Sequence, residues 1–248
     1  MRALVLLVLA VVAAVAAAPK NLPSTWKKCD RKDPLFNACL REAIHVAIRE
    51  LSDKGAKELG VFPIDPLRLT RVDIAQGTGP VSIDLHFTDL DIYGLKSTEL
   101  DSVVGDLDKI HYHAFAHIPQ GITLKGQYKI DGKVLVLPIK GEGPCELHLE
   151  NATALVDILG VPVKKDGVTH GNITDFMFTF NTTRLRIRLD NLFNGNQDLS
   201  NNMNVFLNEN WMDILNELKP AIQDAFGAAF KEITSRIYSR VPYDKLYA

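Results

Sequence analysis

The sequence is short of several things that would have assigned it quickly. It has no excess of either charge: 28 Lys and Arg stand against 30 Asp and Glu, which excludes a basic nucleic-acid binder. Its 12 Pro and 16 Gly in 248 residues are ordinary, so it is neither collagen-like nor a low-complexity linker. Hydrophobic residues make up 46%, too many for a disordered chain. The Gly-x-Ser-x-Gly elbow, the Walker loop, the dinucleotide fingerprint and the His-Glu-x-x-His pair are all missing. Cysteine is scarce, with three in the whole chain: Cys29, Cys39 and Cys145.

The first 18 residues are an exception to the ordinary composition. Arg2 is their only charge; an apolar run follows, ending in Ala16-Ala17-Ala18 before Pro19-Lys20-Asn21. A charged start, an apolar middle and a small-residue cleavage site describe a secretory signal peptide, and the run falls short of the ~20 apolar residues of a spanning helix. Residues 1–18 are therefore expected to be a signal peptide and 19–248 a single secreted, extracellular domain with no transmembrane segment. In an oxidising compartment two cysteines should pair. Three pairings exist; the local one, Cys29 to Cys39, is favoured and leaves Cys145 as a buried inert thiol. The sequons at Asn151, Asn172 and Asn181 are candidate glycosylation sites; Asn181 lies opposite in parity to Phe176, Phe178 and Phe180 and so points away from them.

The hydrophobic periodicity reads as helix, then strands, then helix. Asp33-Pro34 offers an N-cap and first-turn proline to a helix carrying Phe36, Leu40, Ile44, Ile48 and Leu51. Pro63-Ile64-Asp65-Pro66 is a turn. From there to about residue 190 the pattern alternates as in strands, with a parity flip between Phe87 and Leu90 that predicts a bulge. Asp131-Gly132 is expected to be a two-residue hairpin turn. No helices punctuate the strands, so the sheet should be antiparallel. A short helix is predicted near Leu199 to Leu207. A long one follows, with Trp211, Leu215, Leu218, Ile222, Phe226, Phe230, Ile233 and Ile237 on one stripe, Pro220 and Gly227 within it, and Pro242 ending it. A stripe of that length must be covered, and a concave sheet is the economical cover.

Candidate chemistry is thin. His111, His113 and His117 share one strand face, but Phe115 interrupts them and no carboxylate or cysteine has ligand spacing. They are read as outward polar positions, with no metal and no cofactor. Asp89/Asp91 and Asp106/Asp108 sit in strand-end or turn contexts rather than as a glycosidase pair. What remains is apolar surplus: either a filled core, or an elongated cavity for a lipid-like ligand.

One set of segments bears on that choice. It comprises Cys29 and Cys39, Val61-Phe62-Pro63-Ile64-Asp65-Pro66-Leu67, Gly132-Lys133-Val134-Leu135-Val136-Leu137-Pro138-Ile139-Lys140-Gly141-Glu142-Gly143, Asn191-Leu192-Phe193-Asn194-Gly195, Asn204-Val205-Phe206-Leu207-Asn208-Glu209-Asn210-Trp211 and Val241-Pro242-Tyr243-Asp244. In this order, across essentially the whole mature chain, they resemble the takeout and juvenile-hormone-binding protein family of insects. The resemblance implies an α+β tubular lipid-binding fold, in which a highly curved antiparallel sheet wraps the long C-terminal helix and encloses an apolar tunnel. It implies a secreted, non-enzymatic, monomeric carrier of a small hydrophobic ligand such as a terpenoid, a fatty acid or juvenile hormone. It also brings an association with circadian output, feeding or chemosensation, and a cell-surface receptor as a further partner. Hormone carriers of the family are expected to have a second disulfide; Cys145 has no evident partner, so the chain looks takeout-like. On this reading Phe176, Phe178, Phe180, Leu215, Leu218, Ile222, Phe226 and Phe230 line the tunnel, and Tyr112, Tyr128 and Trp211 orient the ligand. The alternatives are a lipid-surface or receptor-interaction protein without cargo, and a lipid esterase, which needs a nucleophile within reach of a histidine.

Overall fold

The computed structural model describes residues 20–76 and 79–248; the expected signal peptide lies outside the described residues. The first helix, α1 (Phe36–Lys54), is followed by strands β1 (Leu67–Gln76), β2 (Val81–Tyr93), β3 (Glu99–Asp106), β4 (His111–Ile118), β5 (Ile122–Val134), β6 (Leu137–Glu150), β7 (Ala152–Lys165), β8 (Val168–Asn181) and β9 (Arg184–Leu189). Helices α2 (Gln197–Glu209) and α3 (Trp211–Arg240) complete the fold. The predicted helix start at Asp33-Pro34 is two residues early. Asp33 instead builds a turn, its carboxylate accepting from Leu35 N–H and its carbonyl from Phe36 N–H, and the helix begins at Phe36.

All pairings are antiparallel. The strands divide into two sheets, β1-β2-β5-β6-β9 and β3-β4-β7-β8. The chain passes between them after β2, β4, β6 and β8, and these crossings are stacked together. A Cβ on Gly94 would stand 2.3 Å from Gly121 O, and one on Gly121 would stand 2.4 Å from Leu149 O; both residues have positive φ, so only glycine fits. The next crossing bends at Asn151 (φ 46), and Thr183 N–H donates to Glu150 O beside it.

The bulge predicted from the parity flip is present: the β2–β5 register shifts between Thr88 and Asp91, with Asp89 at φ 49. The predicted hairpin turn is displaced. Pairing runs through Asp131-Gly132 to Val134 and Leu137, and the turn is Leu135-Val136. Cross-strand packing decides this register. It sets Gly126 opposite Cys145, Tyr128 opposite Gly143, Ile130 opposite Gly141 and Gly132 opposite Ile139, so along this stretch each inward side chain has a glycine across from it. A turn at 131–132 would set Tyr128 against Leu135.

Helix α3 carries 30 residues, about 45 Å at the helical rise. It packs on β8 at the edge of the four-stranded sheet and on both β1 and β9, the opposite edges of the five-stranded sheet. It touches these edges and hardly the middle strands β5 and β6, as it does when the sheet curls around it. Gly227 permits the approach to β8, since a Cβ there would lie 3.0 Å from Phe176 O.

The outer edge of β9 is covered by α2. Asn196 caps this helix by accepting from Leu199 N–H. One turn apart, Asn204 and Asn208 face β9. Asn204 accepts from Leu189 N–H and donates to Leu189 O; Asn208 accepts from Ile187 N–H and donates to Ile187 O. Two side-chain amides thus take the place of a tenth strand on an edge that would otherwise be open to pairing.

Candidate functional site

The interior is apolar and arranged along α3. Its first two turns are tightly packed: Trp211, Ile214, Leu215 and Leu218 are buried, Trp211 and Leu215 against Phe180 and Leu185 and Ile214 and Leu218 in the main core. Beyond Pro220 the stripe continues with Ile222, Phe226, Phe230 and Ile233, which pack on the same core but are only half-buried. The wall opposite behaves likewise. Rows of the four-stranded sheet run Ala114–Val156–Phe178 and Tyr112–Ile158–Phe176, and all but Tyr112 are half-buried. Phe230 meets Phe176 at 6.0 Å and Phe178 at 5.1 Å between ring centres, and Phe178 stacks on Phe180 at 5.8 Å. Leu147, Leu149 and Ile187, also half-buried, close the side toward the five-stranded sheet. Here side chains point inward from a helix and from both sheets and keep part of their surface accessible.

Of the residues expected to line it, Ile222, Phe226, Phe230, Phe176 and Phe178 come together at this seam, while Phe180 and Leu215 belong to the closed packing at its Trp211 end and Leu218 is buried in the main core. The expected orienting groups are differently placed. Tyr128 faces inward from β5, but its hydroxyl donates to Asp190 O at 2.7 Å, so its proton is spent. Trp211 is buried, with the Arg184 guanidinium 5.7 Å from its ring centre. Tyr112 lies at the far end, in a cluster with Tyr238, Tyr243 and Tyr247. The sequence reading missed the last three, although they put half of the six tyrosines into the last 11 residues; spacing alone gave no reason to gather them around Tyr112.

The polar chemistry faces outward. His111 and His113 each engage one oxygen of Asp157, at 2.7 and 3.0 Å, and His117 engages Asp101 and Glu99. Among the described residues no group of three potential ligands could hold a metal ion. Asp91 is gripped by Arg68, whose hydrogen bonds hold its carboxyl below the usual range. Asp106 accepts from the backbone of Asp108 and Lys109. A hydroxyl–imidazole pair does occur, Thr123 with His148 at 2.8 Å, but on the outer side of β5 and β6, away from the seam. The sequon asparagines are exposed; Asn151 donates to Thr183 and Asn181 accepts from Lys219.

Cys29 and Cys39 form a disulfide, and Cys145 is free and buried. Burial pushes the Cys145 thiol up to about 11. Native protein at pH 8 should therefore resist iodoacetamide, and only unfolding should yield a single Cys145 adduct; mass spectrometry reads both states. Fast alkylation of the native protein would contradict the inert assignment.

A family model described as haemolymph juvenile hormone binding protein matches residues 5–248. The chain belongs to that family. Among its relatives is the circadian clock-controlled protein daywake of Drosophila melanogaster, 28% identical over 238 residues, covering 93% of this chain and 90% of the relative. Another is a Schistocerca gregaria protein named "Putative beta-carotene-binding protein", 25% identical over 215 residues, covering 86% and 84%. The crystal structure of Epiphyas postvittana Takeout 1 superposes with a TM-score of 0.74 at 28% identity, covering 89% of this chain and 98% of that one. The takeout-like assignment and the α+β fold, a curved antiparallel layer around a long C-terminal helix, therefore stand. Several family-resembling segments acquire physical reasons from the structure. The Asn204 to Trp211 segment carries the amides that cover β9, and the Gly132 to Gly143 segment carries the alternation that fixes the β5–β6 register. No helix among the described residues is long and apolar enough to cross a membrane.

Proposed function

We propose that this member of the haemolymph juvenile hormone binding family is a secreted carrier that sequesters one small apolar ligand along α3. The observation that carries the reading is the change from closed to half-buried packing along a single helical stripe after Pro220. Burial gains about 0.8 kcal/mol per methylene, so ten methylenes give about 8 kcal/mol before ordering costs, enough for roughly micromolar affinity. The ligand is of terpenoid, fatty-acid-like or juvenile-hormone-like character. The name of the Schistocerca relative and the clock control in that of the Drosophila one support an apolar cargo and a circadian connection. On this reading residues 1–18 are a cleaved export signal, the three sequons carry glycans, and the mature chain is an extracellular monomer that hands its cargo to a receptor.

Two measurements test it. Organic extracts of protein purified from a secreting eukaryotic host should contain a co-purifying apolar molecule by mass spectrometry. Ile222→Trp, which adds bulk inside the seam, should weaken binding of the fluorescent probe N-phenyl-1-naphthylamine about tenfold while changing stability by less than about 1 kcal/mol. In a filled core the same substitution overpacks and costs about 1–3 kcal/mol, and that result would end the carrier reading.

A second reading, surface docking without cargo, is favoured by the outer face of the four-stranded sheet. There Val104, Phe115, Leu155 and Met177 are exposed around the His113–Asp157 pair. The five-stranded sheet is instead paved on its outer side with cross-strand ion pairs such as Arg68–Asp91, Lys125–Glu146, Lys129–Glu142 and Lys140–Asp131. An empty extract together with cosedimentation with lipid vesicles would select this reading.

A further inference from the structure

The outer faces of the two sheets are finished differently. That of the five-stranded sheet is laid with ion pairs, among them Lys125–Glu146, Lys129–Glu142 and Lys140–Asp131. On the four-stranded sheet Leu155, Val161, Val163 and Met177 are exposed, with Phe115 across from Leu155. Most of these stand on β7, whose outward positions run Thr153, Leu155, Asp157, Leu159, Val161 and Val163. All but Thr153 and Asp157 are apolar. An exposed apolar stretch of this kind is a contact surface or an aggregation liability, so what lies over it matters.

The neighbouring strand carries something able to cover it. Strand β8 is the edge strand next to β7, and it holds the sequon residues Asn172 and Asn181. By plain alternation an even-numbered and an odd-numbered residue of one strand face opposite ways. The β7–β8 register, however, pairs Leu159 with Asp175 and Gly160 with Ile173, so Thr174 is an extra residue in β8, and such a bulge reverses the alternation beyond it. Asn172 and Asn181 therefore share the outer face. Burial agrees with this. Both asparagines are exposed, whereas Gly171, Ile173 and Phe180 beside them are buried, Gly171 beneath the Tyr238 ring and Ile173 in one core cluster with Tyr112.

The same register sets each asparagine against the apolar column. Asn172 stands opposite Val161, at about 5 Å between Cβ atoms, and Val163 is its diagonal neighbour. Asn181 stands opposite Thr153, with Leu155 on the diagonal at about 7–8 Å. The two sequons thus bracket the exposed stretch from its two ends, along the strand that borders it.

We infer that Asn172 and Asn181 carry N-linked glycans whose inner sugars lie back over the β7 column, so that the outer face of the four-stranded sheet is covered by the chain's own carbohydrate. The inference rests on the export and glycosylation in the proposed function and is independent of the cargo. In the attachment step the asparagine Nδ2 bonds to the anomeric carbon of an oligosaccharide. The bond from that carbon to a lipid-linked pyrophosphate breaks, the pyrophosphate leaves with the electron pair, and one Nδ2 proton goes to a base. The amide oxygen is untouched, so Asn181 Oδ1 can keep the bond it accepts from Lys219 Nζ. A sugar ring is bulky and solubilising: its C–H face can rest on Val161, Leu155 and Met177 while its hydroxyls stay in water. A face covered in this way is closed to the surface docking of the second reading.

The test uses the mature protein from a secreting eukaryotic host. Glycopeptide mass spectrometry should find Asn172 and Asn181 both occupied. Hydroxyl-radical footprinting then compares the wild type with the Asn172→Gln/Asn181→Gln double variant. Labelling at Leu155, Val161 and Met177 should rise about threefold in the variant, since oxidation follows exposure. Val136, exposed at the β5–β6 turn of the other sheet, is the control and should not change. Where the variant fails to fold or to be exported, endoglycosidase treatment of the folded wild type gives the same comparison without a substitution. An unmodified Asn172 or Asn181 in the exported protein overturns the inference. So does labelling that is equal with and without the glycans, which would mean that they extend into solvent. An apolar-free extract ends the carrier reading and leaves this inference standing, whereas a chain that is never exported ends both.

Discussion

Replacing Cys39 by serine should lower the stability of the protein by about 3 kcal/mol. The bridge closes a loop of sequence separation 10, and the chain-entropy estimate for a loop of that order is about 3 kcal/mol. The loss should concentrate at one end of the molecule. Cys29, Phe36, Leu40, Tyr112, Val241, Tyr243, Leu246 and Tyr247 form one buried cluster, and the bridge joins its entry segment to α1. Chemical denaturation of the wild type and of Cys39→Ser, each with Cys145 reduced, reads the difference from the midpoint at unchanged slope. Hydrogen exchange should show a general loss of protection and, beyond it, the largest loss in α1 and the terminal segment 241–248. A midpoint shift worth less than about 1 kcal/mol would show that the bridge does not hold this end.

Asn208→Ala should cost about 2–3 kcal/mol, more than its half-buried position suggests. The substitution removes both bonds to Ile187, and each backbone group left without a partner costs about 1–3 kcal/mol to the extent that it remains out of water. For a domain of this size the melting temperature should fall by roughly 4–12 °C. Asn201→Ala, on the exposed side of α2, is the control and should stay within about 0.5 kcal/mol. The variant should also aggregate on prolonged incubation, because β9 becomes an open edge. A change no larger than the control's would show that water replaces the asparagine pair at no cost and that α2 is not an edge cover.

The seam was legible in the sequence only in part. The stripe from Trp211 to Ile237 named the helix face, and the alternation of Phe176, Phe178 and Phe180 named the strand face opposite. What the stripe could not show is that its first two turns close and the remainder does not, because helical periodicity records which way a residue points and carries nothing about how far away the facing wall stands. The displaced hairpin turn makes the same point at shorter range. Asp131-Gly132 has the local chemistry of a turn, and the pairing of inward side chains with glycines from Gly126–Cys145 to Gly132–Ile139 outweighs it. Tyr128 was expected to orient a ligand, and the carbonyl that takes its proton, Asp190, is 62 residues away.

The amino-acid order by itself determined the helices at both ends, the antiparallel strands between them and the bulge at Asp89, and through its resembling segments it identified the family. All of these are set by periodicity or by short runs of neighbouring residues, which act before the chain closes. The tertiary structure alone decided that the strands form two sheets with stacked crossings, that α2 covers an edge with asparagines, and that Tyr112 is joined to Tyr243 and Tyr247 more than 130 residues later. Such contacts depend on where the curled sheet brings distant segments together, and no local pattern encodes a distance across the interior.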